Sequence, residues 1–283
     1  MSTAILLIHC PDRRGLVAAI STFLYEHGAN ILHADQHQDQ RHGLFFMRVE
    51  YSLDGFGLDH RQFVDRFTPV AERFAIEWRL EYSALRPAVA IFVSRHLHCL
   101  VDLLHRHAVG ELAARIPVVV SNHEDARPLV EFHGIAFHHV PVSFATKAAD
   151  EERQLQVLAD YSVDLVVLAR FMQVLSPGFV RRYPQRIINV HHSFLPAFVG
   201  ARPYHAAFDR GVKLIGATSH YVTDELDEGP IIEQDVARVS HRDQVDDLVQ
   251  KGRDLERMVL SRAVRWHLEH RVLLYANKTV VFD

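Results

Sequence analysis

The sequence predicts an α/β protein of two domains, a ferredoxin-like βαββαβ unit followed by a doubly wound, mostly parallel sheet. Over residues 1–83, short strands and helical spacings follow in the order strand, helix, strand, strand, helix, strand, which is the split βαβ pattern. Beyond Pro87, near-continuous runs of Val, Ile and Leu alternate with helical segments, as in parallel strands buried on both faces. We therefore place one domain at 1–83, a linker at 84–87 and a second domain at 88–283.

The elements of the first domain follow from apolar spacing and turn residues. Residues 4–10 form a short apolar strand, and after the turn PDRRG a helix runs to Gly28, which suits a left-handed helix end. The strands 30–39 and 43–52 meet at RHG, which is typical of a hairpin turn. Phenylalanines at helical spacing predict a helix over 59–74, and IEWRLEY alternates as a last strand.

The second domain contains short apolar runs that predict the strands of its sheet. These are AVAIFVS, IPVVVSN, IAFHHVPV, VDLVVLA, RIINVHH and VKLIGATSHYV. A helix begins after the fourth run, with Ser176 as N-cap and Pro177 at its first position. A long helix over roughly 243–269 carries one apolar stripe that must pack on the sheet or on a partner.

Charge and composition exclude several classes of protein. The chain has 283 residues and a formal net charge of −4, without a Lys/Arg cluster, so we expect no nucleic-acid partner. The first apolar run is too short for a signal peptide or a membrane span, which predicts a cytoplasmic protein without membrane contact. Cys10 and Cys99 lie in different segments, so we expect buried thiols and neither a disulfide nor a zinc site.

Polar side chains gather where three predicted strands end. The stretch NVHHSFLP follows the apolar run RIINV directly, LARFMQVLS ends another strand, and GATSHYV precedes the loop TDELDEGP. Ligands of open α/β sheets lie outside the carboxyl ends of the strands, so we expect these three ends to converge. The side chains brought together would be Asn189, His191, His192, Thr218, His220 and Asp227.

An amide, an imidazole and a carboxylate in one place are the groups that attack on a small carbonyl needs. The amide and a protonated imidazole can donate to the oxygen that becomes negative, and one such donor contributes about 2.7 to 4 kcal/mol. The carboxylate can accept a proton from the nucleophile, especially if a partly apolar setting raises its pKa. The chain contains no G-x-S-x-G elbow, so direct attack by water or an amine is favoured over an acyl-enzyme. Taken singly, His191 and His192 would more often be structural histidines, and Asp227 would more often be an ordinary turn carboxylate.

The three motifs together resemble the folate-dependent formyltransferase superfamily. Its pattern is N-x-H, S-x-L-P, G-x-T-x-H and D-x-G, which matches NVHHSFLP, GATSH and DEG in order. Within that superfamily HHSFLPAF, His192 and the additional N-terminal domain are most similar to the formyltetrahydrofolate deformylase family. The resemblance implies hydrolysis of 10-formyltetrahydrofolate to tetrahydrofolate and formate, a reaction that needs no metal and no cofactor. The formate would be used in purine and one-carbon metabolism.

The resemblance also implies roles for individual residues. Asn189 and His191 would hold the formyl oxygen and Asp227 would act on the water, with Thr218 and His220 supporting that carboxylate. His192 would either shape the water site or only fill the loop. The pterin would be received by Met172, Gln173, Val174, Leu175, Thr223 and Leu226. Arg202 stands where an asparagine is expected, so contacts to the folate tail should differ.

The N-terminal segment resembles an ACT domain, a module that binds amino acids and pairs with copies of itself. The matching residues are Asp12, Gly15 and Leu16 in the first turn and Asn30 and Ile31 after the helix. The resemblance implies a homo-oligomer and an amino-acid effector, with glycine or methionine as candidates. Plain turn and cap chemistry is the alternative for these residues.

Two rival functions share part of this pattern. A transformylase acting on glycinamide ribonucleotide has the same catalytic motif. Such enzymes also share a glycine-rich loop after the first strand of this domain, whose backbone amides can bind a phosphate. Here the matching stretch IFVSRHLHCLVDLL contains no glycine, which favours water as the acceptor. A non-catalytic sensor that merely binds folate would have no use for a carboxylate beside the amide and imidazole.

Overall fold

The computed structural model describes residues 2–196 and 203–283, which divide into two compact units. The first unit comprises Met1–Arg86, Glu269–Tyr275 and Val280–Asp283, and the second comprises Pro87–Leu268 and Ala276–Thr279. Within the described residues, no helix is both long enough and apolar enough to cross a membrane.

The first unit is a four-stranded antiparallel sheet with two helices. Its elements are β1 (Thr3–Pro11), α1 (Leu16–Glu26), β2 (Asn30–Asp39), β3 (Leu44–Ser52), α2 (His60–Phe74) and β4 (Glu77–Tyr82). The strands lie in the order β2-β3-β1-β4. This is the ferredoxin-like order predicted from the sequence.

One face of this sheet is covered by the two helices. Alternate residues of β1, including Leu6 and Ile8, are fully buried against an aromatic cluster of Phe23, Phe63 and Phe67. The ring centroids of Phe23 and Phe67 lie 5.1 Å apart in an edge-on arrangement, the geometry that aromatic quadrupoles prefer. The buried residues of the strand recur every two positions and those of the helices about every four, and both sets pack into one core.

The second unit is built on a seven-stranded sheet. Its strands are β5 (Ala88–Val93), β6 (Arg115–Ser121), β7 (Ala136–His139), β8 (Leu165–Leu168), β9 (Ile187–His191), β10 (Leu214–Tyr221) and β11 (Ile231–Arg238). Its helices are α3 (His98–Ala108), α4 (Arg127–Phe132), α5 (Lys147–Asp160), α6 (Pro177–Val180), α7 (Pro203–Arg210) and α8 (Val245–Leu268).

The strand directions in this sheet correct one expectation. The order is β11-β10-β9-β8-β5-β6-β7, in which β7, β6, β5, β8 and β9 are parallel. β10 runs antiparallel to β9, and β11 antiparallel to β10. The three carboxyl ends therefore do not converge as predicted; the polar residues of β9 and β10 meet because the strands pair side by side. The sequence analysis did not predict β11.

Residues near the C-terminus complete the first unit. A hairpin of β12 (Val272–Tyr275) and β13 (Lys278–Val281) contributes Leu273, Val280 and Phe282 to a core shared with the face of the first sheet that the helices leave open. The sequence-based boundary assigned these residues to the second domain. Two four-residue strands give no signal of which sheet they will cover, so the sequence could not reveal this packing.

We expect Leu273→Ala to lower the stability of the first unit by about 2 to 5 kcal/mol, because it opens a cavity beneath the first sheet. Leu273 is 5% exposed in the core that contains Phe46. Urea unfolding would be followed by the fluorescence of Trp78 in a Trp266→Phe background, since the chain has two tryptophans. Leu85→Ala, at a side chain that is 64% exposed, is the control; equal losses in both variants would contradict the packing.

Candidate active site

Strand β9 places two polar side chains on the same face of the sheet. Ile187 and Ile188 are fully buried, while Asn189 and His191, two residues apart, point to one side. In the antiparallel register His220 of β10 lies opposite Asn189, and Thr218 lies opposite His191. Directly opposed residues have Cβ atoms about 5 Å apart, so this pairing brings amide and imidazoles together without help from a loop.

Asn189 and His220 form a directional pair. The Nδ1 atom of His220 lies 3.0 Å from the carbonyl oxygen of Tyr221, so Nδ1–H donates to it. The Nε2 atom of a neutral His220 is then an acceptor, and the Asn189 amide nitrogen lies 3.2 Å from it. An asparagine amide carries two N–H groups, so the second stays available for a ligand.

Asp227 faces both imidazoles. Its Oδ2 lies 3.2 Å from Nδ1 of His191, and its Oδ1 lies 3.6 Å from Nε2 of His220. These contacts, that with His191 first, hold the pKa of Asp227 well below its usual range, although partial burial acts in the opposite direction. The sequence analysis left open whether a partly apolar setting raises the pKa of Asp227; here hydrogen bonding, first of all from His191, outweighs desolvation.

The imidazole of His191 is prepared to donate to a ligand. It is 6% exposed, and its Nε2 has no hydrogen-bond partner in the described part of the chain. Because Nδ1 lies 3.2 Å from Oδ2 of Asp227, a His191 that also donates from Nε2 must carry both ring protons. A buried polar atom without a partner costs about 1 to 3 kcal/mol, a cost that a ligand oxygen at Nε2 would remove.

A close backbone approach carries Asp227 to the histidines. Asp227 has φ 57°, in the left-handed region that aspartate tolerates better than most residues. Two residues later, a Cβ at Gly229 would lie 1.7 Å from the carbonyl oxygen of Tyr221. Only glycine allows the loop to approach β10 this closely, which explains the D-x-G spacing physically.

Thr218 supports a neighbouring loop instead of the carboxylate. Its hydroxyl donates to the carbonyl oxygen of Ser193 at 2.8 Å and accepts from the Leu195 amide at 3.1 Å. The side-chain amide of Gln234 donates to the same hydroxyl at 3.0 Å. These contacts fix the turn that follows His192, whereas the sequence analysis associated Thr218 with the carboxylate.

His192 contacts a residue that the sequence analysis overlooked. Its ring stacks on that of His191 with centroids 5.0 Å apart and planes at 21°. Its Nδ1 lies 2.7 Å from Nη1 of Arg170, which follows β8. The stretch LARFMQVLS could have indicated a role for Arg170, because this charged residue stands between two buried apolar residues.

The predicted pterin-binding residues lie on two loops of the second unit. Met172 and Val174, after β8, expose 48% and 55% of their surface, and Leu226 exposes 61%. The Met172 amide donates to the hydroxyl of Ser94 at 3.0 Å, which ties this loop to the end of β5. The other predicted residues on these loops, Gln173, Leu175 and Thr223, are half-buried. Arg202 lies outside the described residues.

In the first unit, Asp12, Gly15 and Leu16 lie in and after the turn between β1 and α1. Asp12 is exposed and its carboxylate accepts a hydrogen bond from the Gln38 amide. Gly15 has φ 88° immediately before the helix, and Leu16 is buried in the core. Of these three, Asp12 and Gly15 are the ones placed to meet a ligand.

Asn30 and Ile31 lie at the other end of the sheet. Ser52 of β3 is opposite both Thr3 and Asn30, whereas Leu44 is opposite both Pro11 and Asp39. The ten residues from Asn30 to Asp39 span roughly 30 Å at the usual rise of a strand. One small ligand cannot contact both predicted groups within a single chain.

Comparisons with known proteins agree with this fold. The formyl transferase family pattern matches residues 88–264 and the ACT domain pattern matches residues 4–59. Formyltetrahydrofolate deformylase of Synechocystis is 53% identical over 280 residues, which is 99% of this chain and 98% of that protein. A deformylase structure from Pseudomonas syringae pv. tomato has a TM-score of 0.97 and 52% identity, covering 100% of this chain and 95% of that chain.

More distant structures resemble the second unit only in part. Glycinamide ribonucleotide transformylase 1 of Symbiobacterium toebii has a TM-score of 0.66 and 30% identity, covering 72% of this chain and 98% of its own. The fold and the polar pair of strands thus define a formyl transferase domain joined to an ACT domain. The chain belongs to the formyltetrahydrofolate deformylase family.

We expect Gly229→Ala to separate Asp227 from its histidines, because the added Cβ meets the backbone of Tyr221. The pKa of Asp227 should then rise toward the ordinary value of about 4, which carboxyl-carbon NMR would record. Gly178→Ala is the control, since a Cβ there meets Ser176 at an ordinary 3.7 Å. A pKa of Asp227 that stays low in Gly229→Ala would show that the close approach does not position the carboxylate.

Proposed function

We propose that this chain hydrolyses 10-formyltetrahydrofolate to tetrahydrofolate and formate by direct attack of water, in the cytoplasm. The observation that carries the proposal is the set of Asn189, His191 and Asp227, with one buried donor of His191 left for a ligand. Likeness to deformylases along nearly the whole chain supports water as the acceptor. No cofactor or metal is part of this proposal.

The formyl oxygen is held by two donors on β9. The free N–H of Asn189 and the Nε2–H of a protonated His191 face the side of the sheet on which Asp227 lies. When water attacks, the carbonyl oxygen becomes negative and both hydrogen bonds strengthen. Donors of this kind contribute about 2.7 to 4 kcal/mol each because they are fixed before the reaction.

Asp227 orients the water and receives its proton. Its low pKa makes it a weak base toward free water, but water becomes far more acidic as its oxygen bonds to the formyl carbon. Collapse of the tetrahedral intermediate breaks the bond from the formyl carbon to N10 of the folate. N10 takes up the proton that Asp227 received from the water. The formic acid released loses its remaining proton to solvent and becomes formate, so both protons of the water are accounted for.

The folate would lie along the loop after β8. Met172 and Val174 offer exposed apolar surface to the pterin, and Leu226 does so from the loop that carries Asp227. Gln173, Leu175 and Thr223 complete this proposed pocket. An apolar surface with a few polar groups is the usual composition of a site for a flat heterocycle.

The region after β5 argues for water over a ribonucleotide acceptor. Ser94 donates its hydroxyl to Asn122 Oδ1 at 2.7 Å and accepts from the Met172 amide. The stretch from Ile91 to Leu104 contains no glycine, so it lacks the residues that let successive backbone amides surround a phosphate. This supports hydrolysis over transfer to glycinamide ribonucleotide.

The proposed reaction is tested with purified protein and 10-formyltetrahydrofolate in a buffer without amine acceptors. We expect tetrahydrofolate and formate in equal amounts over many turnovers. Release that begins only when glycinamide ribonucleotide is added would instead identify a transferase. Absence of turnover under both conditions, with folate still bound, would support the sensor alternative.

Within this assay, Asp227→Asn should lower kcat by a factor of about 10² to 10⁴, the range for loss of a positioned acid or base. Affinity for folate should change little, because the pocket survives. Asp224→Asn is the matched control on the same loop, since Asp224 is exposed and pairs with Arg181. Near-normal kcat in Asp227→Asn would refute the role given to this carboxylate.

We further propose that two copies pair along β2 and share amino-acid effector sites. β2 is an edge strand of ten residues, nearly all exposed, and such an edge readily pairs with another strand. Antiparallel pairing would bring Asp12 and Gly15 of one copy toward Asn30 and Ile31 of the partner subunit. This resolves the separation of the two groups within one chain.

The shared site predicts complementation between two binding-deficient variants. Asp12→Ala and Asn30→Ala should each lose binding of glycine or methionine in calorimetry. Co-expressed chains that form mixed dimers should regain binding at one of the two sites, because that site combines the native Asp12 of one chain with the native Asn30 of the other. Sedimentation provides the control for dimer formation. Mixed dimers without recovered binding would exclude a site shared in this way.

A further inference from the structure

A cluster of largely buried polar side chains lies beside the stacked rings of His191 and His192 in the second unit. Glu256 of α8 is 1% exposed and its Oε1 accepts from the Tyr204 hydroxyl at 2.8 Å. Its Oε2 lies 2.7 Å from Nε2 of His98 and 3.3 Å from Nε of Arg170. We call these four residues the Glu256 cluster. They come from α3, α7, α8 and the loop after β8, so one carboxylate joins four segments.

The Glu256 cluster is a charge-balanced hydrogen-bonded group. Burial alone would raise the pKa of Glu256, yet the hydrogen bond from His98 and the charge of Arg170 hold it below the ordinary value. Burial raises the pKa of Tyr204, so its hydroxyl remains a donor. Cys99 is also close, but the direct contact between His98 and Glu256 and the adjacent guanidinium leave no place for a cation.

The sequence of α8 is fitted to this cluster. Gly252 lies one helical turn before Glu256, and a Cβ at position 252 would lie 2.1 Å from the hydroxyl oxygen of Tyr204. The tyrosine ring therefore occupies the space that the glycine leaves. This arrangement directs the hydroxyl to Glu256.

Arg170 extends from the Glu256 cluster to the stacked rings of His192 and His191. Its Nη1 lies 2.7 Å from Nδ1 of His192. A guanidinium can only donate, so Nδ1 of His192 must be the unprotonated nitrogen, and the proton of the neutral ring lies on Nε2. Arg170 has φ 63°, a conformation that costs a non-glycine residue free energy, and such strain is concentrated at functional sites.

The stacked histidines need different protonation states. The proposed mechanism requires a cationic His191 beside Asp227, and a second cation on a ring 5.0 Å away would oppose it. The groups that face His192 include the His191 ring, the Arg170 guanidinium and the Tyr204 ring at 6.3 Å. Glu256 and His98 stand behind Arg170, and Asp227 stands beyond His191. Arg170 thus presents a positive charge where His192 would take up a proton.

We propose that Arg170, held and charge-balanced by Glu256, is a positioning residue that fixes His192 as a neutral ring with its proton on Nε2. The inference rests on the proposed hydrolysis, because it assigns the single positive charge of the stacked pair to His191. It gives His192 a defined role in the site, whereas the motif alone left that role open. Arg170 itself acts through His192 and does not touch the reacting atoms.

The test is the pH profile of kcat and kcat/KM for formate release by the full chain. Arg170→Met should lower kcat at neutral pH about 10- to 100-fold with little change in KM. It should also add an ionisation near the ordinary imidazole value of about 6.5 that the native profile lacks. Arg170→Lys should restore part of the rate and suppress the added ionisation, and His192→Asn in the Arg170→Met background should remove it.

Two further variants separate positioning from general destabilisation. Glu256→Gln keeps the size of the side chain but removes the ion pair that holds Arg170, so it should lower the rate by less than Arg170→Met. Because the guanidinium keeps its charge, no added ionisation is expected in this variant. Arg262→Met removes an arginine that pairs with Asp235 at 3.1 Å and should leave the profile unchanged. If Arg170→Met does not fold, Arg170→Gln, which also removes the positive charge but keeps a polar side chain, should show the added ionisation and decides the question.

The outcomes distinguish this inference from the function on which it rests. Native protein that releases no formate would overturn the proposed hydrolysis. Native activity, together with an unaltered profile in Arg170→Met or, where that variant does not fold, in Arg170→Gln, would overturn the positioning role. A loss of rate in Arg170→Met without a new ionisation, not reversed by lysine, would assign Arg170 a purely structural role and overturn it equally.

Discussion

The contact between Asp227 and His191 is the interaction on which the candidate site depends. It brings together a loop carboxylate and a strand imidazole, which requires β10 to pair with β9 and the loop to approach the backbone of Tyr221. The contact also sets the charge of Asp227, since the hydrogen bond from His191 keeps the carboxylate ionised. Donor and acceptor are thus set before substrate arrives, and preorganised polar groups lower barriers for this reason.

The Glu256 cluster also consists of paired buried charges, farther from the reacting position. A chain of contacts runs from the Glu256 carboxylate through the Arg170 guanidinium to the ring of His192, which stacks on His191. Each buried charge has a partner of opposite sign or a hydrogen bond, which is the condition under which buried charges are tolerated. The site is therefore supported from two sides, by Asp227 on one and by Arg170 on the other.

The sequence was sufficient for the elements whose patterns are strong. The apolar runs from residue 88 onward, the capped helix beginning at Pro177 and the motif around Asn189 all have local signals of strand, cap or chemistry. It was insufficient where the outcome depends on partners distant in the chain. β11 mixes charged and apolar residues without a clean period, and the direction of β10 is set by the sheet as a whole. The pKa of Asp227 likewise depends on which neighbours arrive, and hydrogen bonds outweighed burial.

The C-terminal hairpin sets an order of events during synthesis. The first sheet leaves the ribosome early, yet one of its faces is closed by Leu273, Val280 and Phe282, which are made after the whole second sheet. Domains emerge at about 5 to 20 residues per second, so the apolar face that includes Phe46 stays uncovered while roughly two hundred further residues are added. Until then, this apolar face must not associate with other apolar segments. The unit whose synthesis begins first is therefore the one whose core is completed last.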